Sequence, residues 1–183
     1  MIKVKFYGTG GQGIVTAGKV LSQAVSLYEN KYAITVPAYG HERRGAPVNT
    51  SIIIDSEPVL VNSFVYEPDY VMVLDPGVLI HKVDVGAGIH KDSVLVLNGC
   101  DPDVLEKFKV FGFKTIYYAD GTGIAMENIG LPIPNGSMLG VLAASGLVSI
   151  VSIEKALIDS FGQKAGEKNA KAARECYENH KKI

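Results

Sequence analysis

The residues with the clearest chemical meaning form a glycine-rich segment near the amino terminus. It reads Gly8-Thr9-Gly10-Gly11-Gln12-Gly13. Backbone N–H groups of glycines can approach an anion without interference from Cβ atoms, and a helix that begins directly after them would add positive partial charge. We therefore predict that this segment, called the glycine loop below, binds an anion. The predicted binding residues are Gly8, Gly10, Gly11, Gln12 and Gly13.

A second segment, residues 39–45, places four ionisable side chains between two glycines. It reads Tyr39-Gly40-His41-Glu42-Arg43-Arg44-Gly45 and is called the charged loop below. The two arginines could bind a phosphate or a carboxylate through paired N–H donors. Glu42 could neutralise one arginine or accept a hydrogen bond from a partner backbone. The predicted binding set therefore also includes Tyr39, Glu42, Arg43 and Arg44.

The elements that must position these loops alternate between β-like and helical patterns. Strands are predicted at residues 2–7, 32–36, 48–54, 70–74, 94–97 and 115–119. Helices are predicted at residues 12–28, 75–83, 101–110, 123–129, 137–149, 152–161 and 166–181, with Ser152 as the N-cap of the sixth. The alternation predicts one α/β domain over residues 1–183, with three α/β/α layers and a mostly parallel sheet. Loops at the carboxyl ends of neighbouring strands converge in such a sheet, so the glycine loop and the charged loop should lie side by side.

One predicted strand, residues 48–54, breaks the parallel rhythm. It is followed by the turn signal Asp55-Ser56-Glu57-Pro58 and then by Val59-Leu60-Val61. This pattern predicts an antiparallel hairpin, between residues 48–54 and 59–61, that is inserted in the sheet.

Three interpretations compete for the glycine loop. Its spacing fits the dinucleotide pattern G-x-G-x-x-G, but the second predicted strand leads into Val36-Pro37-Ala38 with no carboxylate to hold a ribose. This weakens an NAD site, whereas an NADP site remains open because Arg43 and Arg44 could pair with a 2′-phosphate.

The second interpretation is a P-loop, and the third is a tight turn without a ligand. Residues 13–19 fit G-x-x-x-x-G-K, but Val20 stands where Ser or Thr should bind magnesium, and the segment falls in the predicted helix. The additional Gly11 and the polar Gln12 argue against a turn without a ligand, because a plain turn needs fewer glycines.

The cysteines and histidines predict no metal site. Cys100 and Cys176 are far apart and cannot hold an iron–sulfur cluster alone, since such clusters usually take four thiolates. Three histidines, His81, His90 and His180, show no ligand spacing with one another or with the cysteines.

Composition narrows the class of partner. The chain has 183 residues, a net charge of −1 and scattered basic residues, which argues against binding to nucleic acid or to an anionic membrane. The longest apolar run, residues 138–153, is interrupted and too short to span a bilayer. An amino-terminal strand pattern argues against a secretory signal, so a cytoplasmic location is expected. A mean hydropathy of +0.17 suggests either a large core or apolar surface covered by a partner.

Together the two loops resemble a known family, the gamma subunits or gamma-type domains of the 2-oxoacid:ferredoxin oxidoreductases. Its members show G-x-G-G-Q-G followed by a helix with Ala-Gly, then Y-G-x-E-x-R-G and a strand that contains Ser. Later they show N-x-x-x-L-G and N-x-x-A. The matching later positions are Ala17, Gly18, Ser51, Asn135, Leu139, Gly140, Asn169 and Ala172. The chain departs from the family pattern at two positions. His41 stands where family members commonly have Pro or a small residue, and Ala46 stands where they frequently have Gly.

The resemblance implies a subunit of a larger oxidoreductase for pyruvate, 2-oxoglutarate, 2-oxoisovalerate or indolepyruvate. The complete enzyme would use thiamine diphosphate and [4Fe-4S] clusters on alpha, beta and delta-type partner subunits, reduce ferredoxin and transfer the acyl group to coenzyme A. This chain would bind no cofactor alone and would contribute no catalytic residue. Its loops would cover the active-site cleft on the coenzyme A side. A stand-alone NADP-dependent dehydrogenase and a purely structural assembly subunit are the alternatives.

Overall fold

The computed structural model describes residues 1–38 and 45–183, and it contains a seven-stranded mixed sheet. The strands lie in the order β2-β3-β1-β4-β5-β6-β7. They are β1 (Ile2–Thr9), β2 (Tyr32–Ala38), β3 (Pro47–Asp55), β4 (Tyr70–Val73), β5 (Val94–Asn98), β6 (Thr115–Ala119) and β7 (Lys181–Lys182). Four neighbouring strands, β1, β4, β5 and β6, are parallel, while β3 and β7 run against their neighbours.

Helices cover both faces of this sheet. They are α1 (Ile14–Tyr28), α2 (Pro102–Lys109), α3 (Gly121–Ile129), α4 (Asn135–Ala144) and α5 (Ile150–Asn179), with a 3₁₀ helix at Pro76–Leu79. One core joins α1, α4 and α5 to side chains such as Phe6 and Ile52, and the other joins α2 to Tyr7 and Leu97. The predicted three-layer α/β/α arrangement with a mostly parallel sheet is confirmed.

The inserted hairpin exists, but its predicted partner strand was wrong. β3 pairs in antiparallel fashion with β2 on one side and with β1 on the other. Both edges of β3 are therefore occupied, and no edge is left for residues 59–61. That segment lies outside the sheet, and the Leu60 side chain is 91% exposed.

The carboxyl-terminal helix also differs from the prediction. α5 begins at Ile150 because Ser149, not Ser152, is its N-cap; the Ser149 side chain accepts from the Val151 N–H at 3.3 Å. Ser152 is buried instead. The two predicted helices are confirmed, since α5 breaks at Gly162, where φ is 74° and ψ is 169°. Its second half folds back along the first, and the Arg174 guanidinium donates to the Glu154 carboxylate at 2.7 Å. Lys181, predicted as helical, belongs to β7.

Two small residues allow α4 and α5 to pack closely. A Cβ atom on Gly140 of α4 would overlap the carbonyl oxygen of Ala173 in α5. A Cβ on Gly136 would lie 2.5 Å from Oδ1 of Asn169, again in α5. The position of α4 therefore depends on glycine at both points. Within the two described ranges, no helix is both long and apolar enough to cross a membrane.

We predict that Gly140→Ala destabilises the protein. Helix propensity alone would favour alanine by about 1 kcal/mol. Overlap with a backbone carbonyl must instead push the two helices apart, which we expect to lower the free energy of unfolding by about 1–3 kcal/mol. Urea unfolding, followed by circular dichroism, measures the change in the free energy of unfolding. A higher free energy of unfolding in the variant would contradict this close contact.

Candidate functional site

The glycine loop lies at the point where the order of the strands reverses. From β1 the chain passes through α1 to β2 on one side of the sheet, and from β3 it crosses to β4 on the other side. The carboxyl ends of β1 and β4 are therefore neighbours whose following segments diverge. In open α/β sheets a ligand crevice forms at such a switch point.

Local geometry explains why this loop is rich in glycine. Gly11 and Gly13 have φ values of 99° and 74°, which side chains rarely tolerate. At Gly8, a Cβ atom would collide with the side chain of Ile14, the first residue of α1. The Gln12 N–H donates to the carbonyl oxygen of Thr9 at 3.3 Å, which closes the turn.

The glycine loop contacts Gly45 and Ala46. The Gly10 N–H donates to the carbonyl oxygen of Ala46 at 2.9 Å, and the Gly45 N–H donates to the carbonyl oxygen of Gly10 at 3.3 Å. Gly45 ends the charged loop, so its carboxyl-terminal end lies against the glycine loop. Tyr39, Glu42, Arg43 and Arg44 lie outside the described residues.

A carboxylate that the sequence analysis did not select forms the opposite wall. The Thr9 hydroxyl donates to Oδ2 of Asp75 at 2.8 Å, and the Gly77 N–H donates to Oδ1 at 2.8 Å. Asp75 follows β4, so this link joins the ends of the two parallel strands at the switch point. Its negative charge opposes an anion on the β4 side and leaves the α1 side as the anion-receptive one. An acidic residue directly after a predicted buried strand was the available signal.

The α1 side carries the positive ends of two helices. Neither α1 nor α4 has a side-chain cap, whereas the 3₁₀ helix, α2, α3 and α5 are each capped by a side chain. The two uncapped ends meet, because a Cβ atom on Gly13 would collide with Nδ2 of Asn135, the first residue of α4. Free first-turn N–H groups and the positive ends of two neighbouring helices favour a negatively charged ligand.

The topology disfavours a dinucleotide site. In the dinucleotide-binding fold the second strand lies next to the first, and its end holds the ribose. Here β3 lies between β1 and β2, so β2 stands about 9.5 Å from β1. The P-loop interpretation is excluded, because Gly18 and Lys19 lie within α1 and Lys19 is exposed.

Comparison with known proteins identifies the family. The family model described as pyruvate ferredoxin/flavodoxin oxidoreductase matches residues 3–179. The chain belongs to this family. The common subunit gamma of the pyruvate/ketoisovalerate oxidoreductases of Pyrococcus abyssi is 47% identical over 181 residues, which cover 97% of this chain and 96% of that protein. The sequence-based expectation of the family is thus confirmed.

Solved structures of the family share the fold. Pyruvate oxidoreductase subunit PORC from Thermotoga maritima superposes with a TM-score of 0.84 at 32% identity and covers 99% of this chain and 97% of that one. A 2-oxoglutarate:ferredoxin oxidoreductase from Magnetococcus marinus, solved with 2-oxoglutarate, coenzyme A and succinyl-CoA bound, has a TM-score of 0.67 at 19% identity. It matches 97% of this chain but 30% of that longer chain, and this likeness concerns the fold alone.

Several positions on which the resemblance to the family was based serve packing. A Cβ on Gly18 would lie 2.9 Å from Cγ2 of Thr50, so glycine lets α1 approach the sheet closely. Ser51 accepts a hydrogen bond from the Val65 N–H at 2.9 Å and holds the segment that follows β3 against the sheet. Asn135 differs from these, since its side chain reaches the glycine loop.

The cysteines differ in environment. Cys100 is exposed at the carboxyl end of β5, and Cys176 is fully buried in α5. Burial raises the pKa of the Cys176 thiol to about 12. Burial and the nearby Asp120 also raise the pKa of Cys100. Across residues 1–38 and 45–183, no group of three His, Cys, Asp or Glu side chains could hold a metal ion.

We predict that Gly13→Ala destabilises the protein more than Gly45→Ala. Both glycines have positive φ, at 74° and 87°, so both alanines are strained. A Cβ on Gly45 would have no atom of the described residues within 4 Å, whereas one on Gly13 must displace the buried Asn135 side chain. We expect the free energy of unfolding of Gly13→Ala to be lower by about a further 1–3 kcal/mol, measured by urea denaturation. Equal losses in the two variants would show that Asn135 does not press on Gly13.

We also predict that a thiol reagent at pH 8 modifies Cys100 and spares Cys176 in the native protein. The reactive species is the thiolate, so a pKa of about 12 together with burial leaves Cys176 inert. Mass spectrometry should detect one modified thiol in the native protein and two in denaturant. The variant Cys100→Ser is the control and should remain unlabelled when native; labelling of Cys176 there would contradict its burial.

Proposed function

We propose that this chain is the gamma subunit of a 2-oxoacid:ferredoxin oxidoreductase. The enzyme converts a 2-oxoacid, coenzyme A and oxidised ferredoxin into an acyl-CoA, carbon dioxide and reduced ferredoxin. The observation that carries the proposal is the match to a gamma subunit at 47% identity over nearly the whole length of both chains. Thiamine diphosphate and [4Fe-4S] clusters belong, in this proposal, to alpha, beta and delta-type partner subunits.

The contribution of this chain is to bind the phosphate end of coenzyme A. The glycine loop offers backbone N–H groups at the uncapped start of α1, and α4 begins beside it. Hydrogen bonds join Gly10 to Gly45, the last residue of the charged loop, and to Ala46. The proposed binding residues remain Gly8, Gly10, Gly11, Gln12, Gly13, Tyr39, Glu42, Arg43 and Arg44. Their chemistry suits a polyanion, since backbone donors, helix dipoles and guanidinium groups all favour phosphate.

A role in assembly is supported by a separate surface. In the segment after β3, Leu60 is 91% exposed, Tyr66 is 72% exposed and Phe64 is 44% exposed. Together with Met1 and Lys3, part of this segment lines a groove of about 370 Å³. Neighbouring exposed apolar side chains of this kind mark contact surfaces. A subunit that only supports assembly would use this surface but would not need the loops.

We predict that Arg43→Ala with Arg44→Ala raises the Michaelis constant for coenzyme A in the assembled complex. Each lost guanidinium–phosphate contact weakens binding by about tenfold, while the step that consumes the 2-oxoacid should change little. Steady-state assays with coenzyme A as the varied substrate, normalised to assembled complex, measure the effect. Lys91→Ala is the matched control, because Lys91 is exposed just before β5, at the opposite edge of the sheet.

Unchanged turnover and an unchanged Michaelis constant for coenzyme A in the double variant would overturn the coenzyme A role. If the variant also purified with fewer partner subunits, the purely structural role would replace it. Native purification of the tagged chain tests the family role independently. Partner chains with thiamine diphosphate and four-cysteine cluster motifs should accompany it, and turnover by the lone chain would contradict the proposal.

A further inference from the structure

Two lysines of β1, Lys3 and Lys5, lie on the face of the sheet opposite α1. Their neighbours Val4 and Phe6 are buried in the core that contains α1, and successive side chains of a strand point to opposite faces. Lys3 forms an ion pair with Glu67 at 3.8 Å. Lys5 is half-buried, yet it forms no ion pair with a carboxylate of the described residues. The two lysines therefore differ, because only Lys3 has a counter-ion there.

The ammonium group of Lys5 lies over an aromatic ring instead of beside a carboxylate. Nζ is 5.4 Å from the centre of the Tyr7 ring, and Tyr7 is buried. Burial lowers the pKa of Lys5, because a desolvated ammonium loses the stabilisation that water gives. Asp84, whose charge acts on Tyr7, is itself bonded to the Gly86 N–H at 3.0 Å. A contact with the ring compensates a desolvated charge only in part, so a carboxylate that reached Lys5 would bind favourably.

The segment that follows β3 crosses this face beside Lys5. The Val65 N–H donates to Oγ of Ser51 at 2.9 Å, and Ser51 is the residue of β3 that pairs with Lys5. Val65 is buried and anchors the segment, whereas Phe64 and Tyr66 on either side of it are exposed. Both aromatic side chains line the groove of about 370 Å³, which extends to β1. The groove and the ammonium group of Lys5 are therefore parts of one surface.

The charge and the apolar surface together indicate the chemistry of the occupant. Lys3 and Lys5 outnumber Glu67, the carboxylate that pairs with Lys3, so an acidic residue would complement this surface. Neighbouring exposed aromatic side chains are typical of protein contact surfaces. A small carboxylate would neutralise Lys5 but leave Phe64 and Tyr66 exposed. A polypeptide segment that carries both an apolar and an acidic side chain satisfies both parts of the surface.

We propose that this surface docks a segment of a partner subunit, with an apolar side chain in the groove and an aspartate or glutamate carboxylate at Lys5. This inference rests on the proposed function, because it requires assembly with other subunits, and it extends that function by naming the type of residue that the partner presents. In the complex, Lys5 gains a counter-ion, and Phe64 and Tyr66 are covered. An ion pair that is shielded from water in this way contributes more to specificity than one on an open surface.

Two variants of Lys5 separate docking from stability. Lys5→Met keeps an unbranched stem over the Tyr7 ring but removes the charge. The isolated chain should melt at the same or a higher temperature, because a half-buried charge without a counter-ion is lost. Its dissociation constant for the purified partner subunits, measured by biolayer interferometry, should nevertheless rise about tenfold. Lys5→Glu, which places one carboxylate against another, should raise that constant about 100-fold.

Lys19→Glu is the matched control for the reversal of charge. Lys19 is exposed on α1, which lies on the other side of the sheet. The dissociation constant for the partner subunits should be the same in this variant and in the parent.

Zero-length cross-linking of the intact complex identifies the partner carboxylate. A water-soluble carbodiimide joins a lysine amine to a carboxylate only where the two groups are in contact. Mass spectrometry should find Lys5 joined to an aspartate or glutamate of a partner subunit. Changing that acidic residue to lysine should weaken binding to the parent chain and restore binding to Lys5→Glu.

Three results would overturn the inference. They are an unchanged dissociation constant in both Lys5 variants, a cross-link from Lys5 only to Asp84 or to a second copy of this chain, or a lower melting temperature of Lys5→Met, which would give Lys5 a role in packing. If the Lys5 variants assemble normally while the Arg43 and Arg44 variants raise the Michaelis constant for coenzyme A, the inference fails and the proposed function stands. If the parent chain binds no subunit with thiamine diphosphate or a cluster, both fail.

Discussion

Antiparallel pairing of β3 with β1 is the constraint that builds the site. Its register runs from Ile2 opposite Ile54 to Thr9 opposite Pro47, and two further backbone bonds join Gly10 to residues 45–46. A slip of one residue would turn the buried Ile52 and Ile54 to the other face of the sheet, so the core of β3 fixes the register. The position of Gly45, the last residue of the charged loop, thus follows from strand pairing several residues away.

The electrostatics of the crevice follow from which helix starts are capped. Asp75, Asp101 and Asp120 each accept from a backbone N–H at the start of the helix they precede, so those ends are already neutralised. Gly13 and Pro134 cannot cap α1 and α4 through a side chain. Among the described residues, the starts of α1 and α4 therefore differ from the capped helix starts on the same edge of the sheet.

The sequence predicted those elements well whose boundaries are set by residues within a few positions of each other. The strand at Thr115–Ala119 and the Asp101-Pro102 helix start agree with the structure, since aliphatic runs and a capping aspartate act within a few residues. The sequence analysis chose Ser152 as a cap, whereas the structure has Ser149, whose backbone N–H is bonded to distant Glu29. No local pattern shows that contact. The partner of β3 was likewise decided by competition among strands for its edges.

The sequence analysis did not indicate the contacts that join residues far apart in the sequence. Thr9 meets Asp75 across 66 positions, and Gly13 meets Asn135 across 122, so periodicity and motif spacing carry no trace of either. The resemblance to the family did single out Asn135, Gly140 and Asn169, but without their contacts it could not separate packing from binding.

Those packing positions also set the geometry beside the glycine loop. Gly140 lies against the backbone of Ala173, and Gly136 lies against Asn169, so the close approach of α4 to α5 sets how far the head of α4 extends toward α1. Protein interiors are densely packed and transmit small displacements, and a shift of 1 Å in a positioning group can weaken function by about 100-fold. A change at the α4–α5 contact should therefore move the amide of Asn135 relative to Gly13. The geometry at the start of α1 therefore depends on the α4–α5 contact as well as on the glycine loop itself.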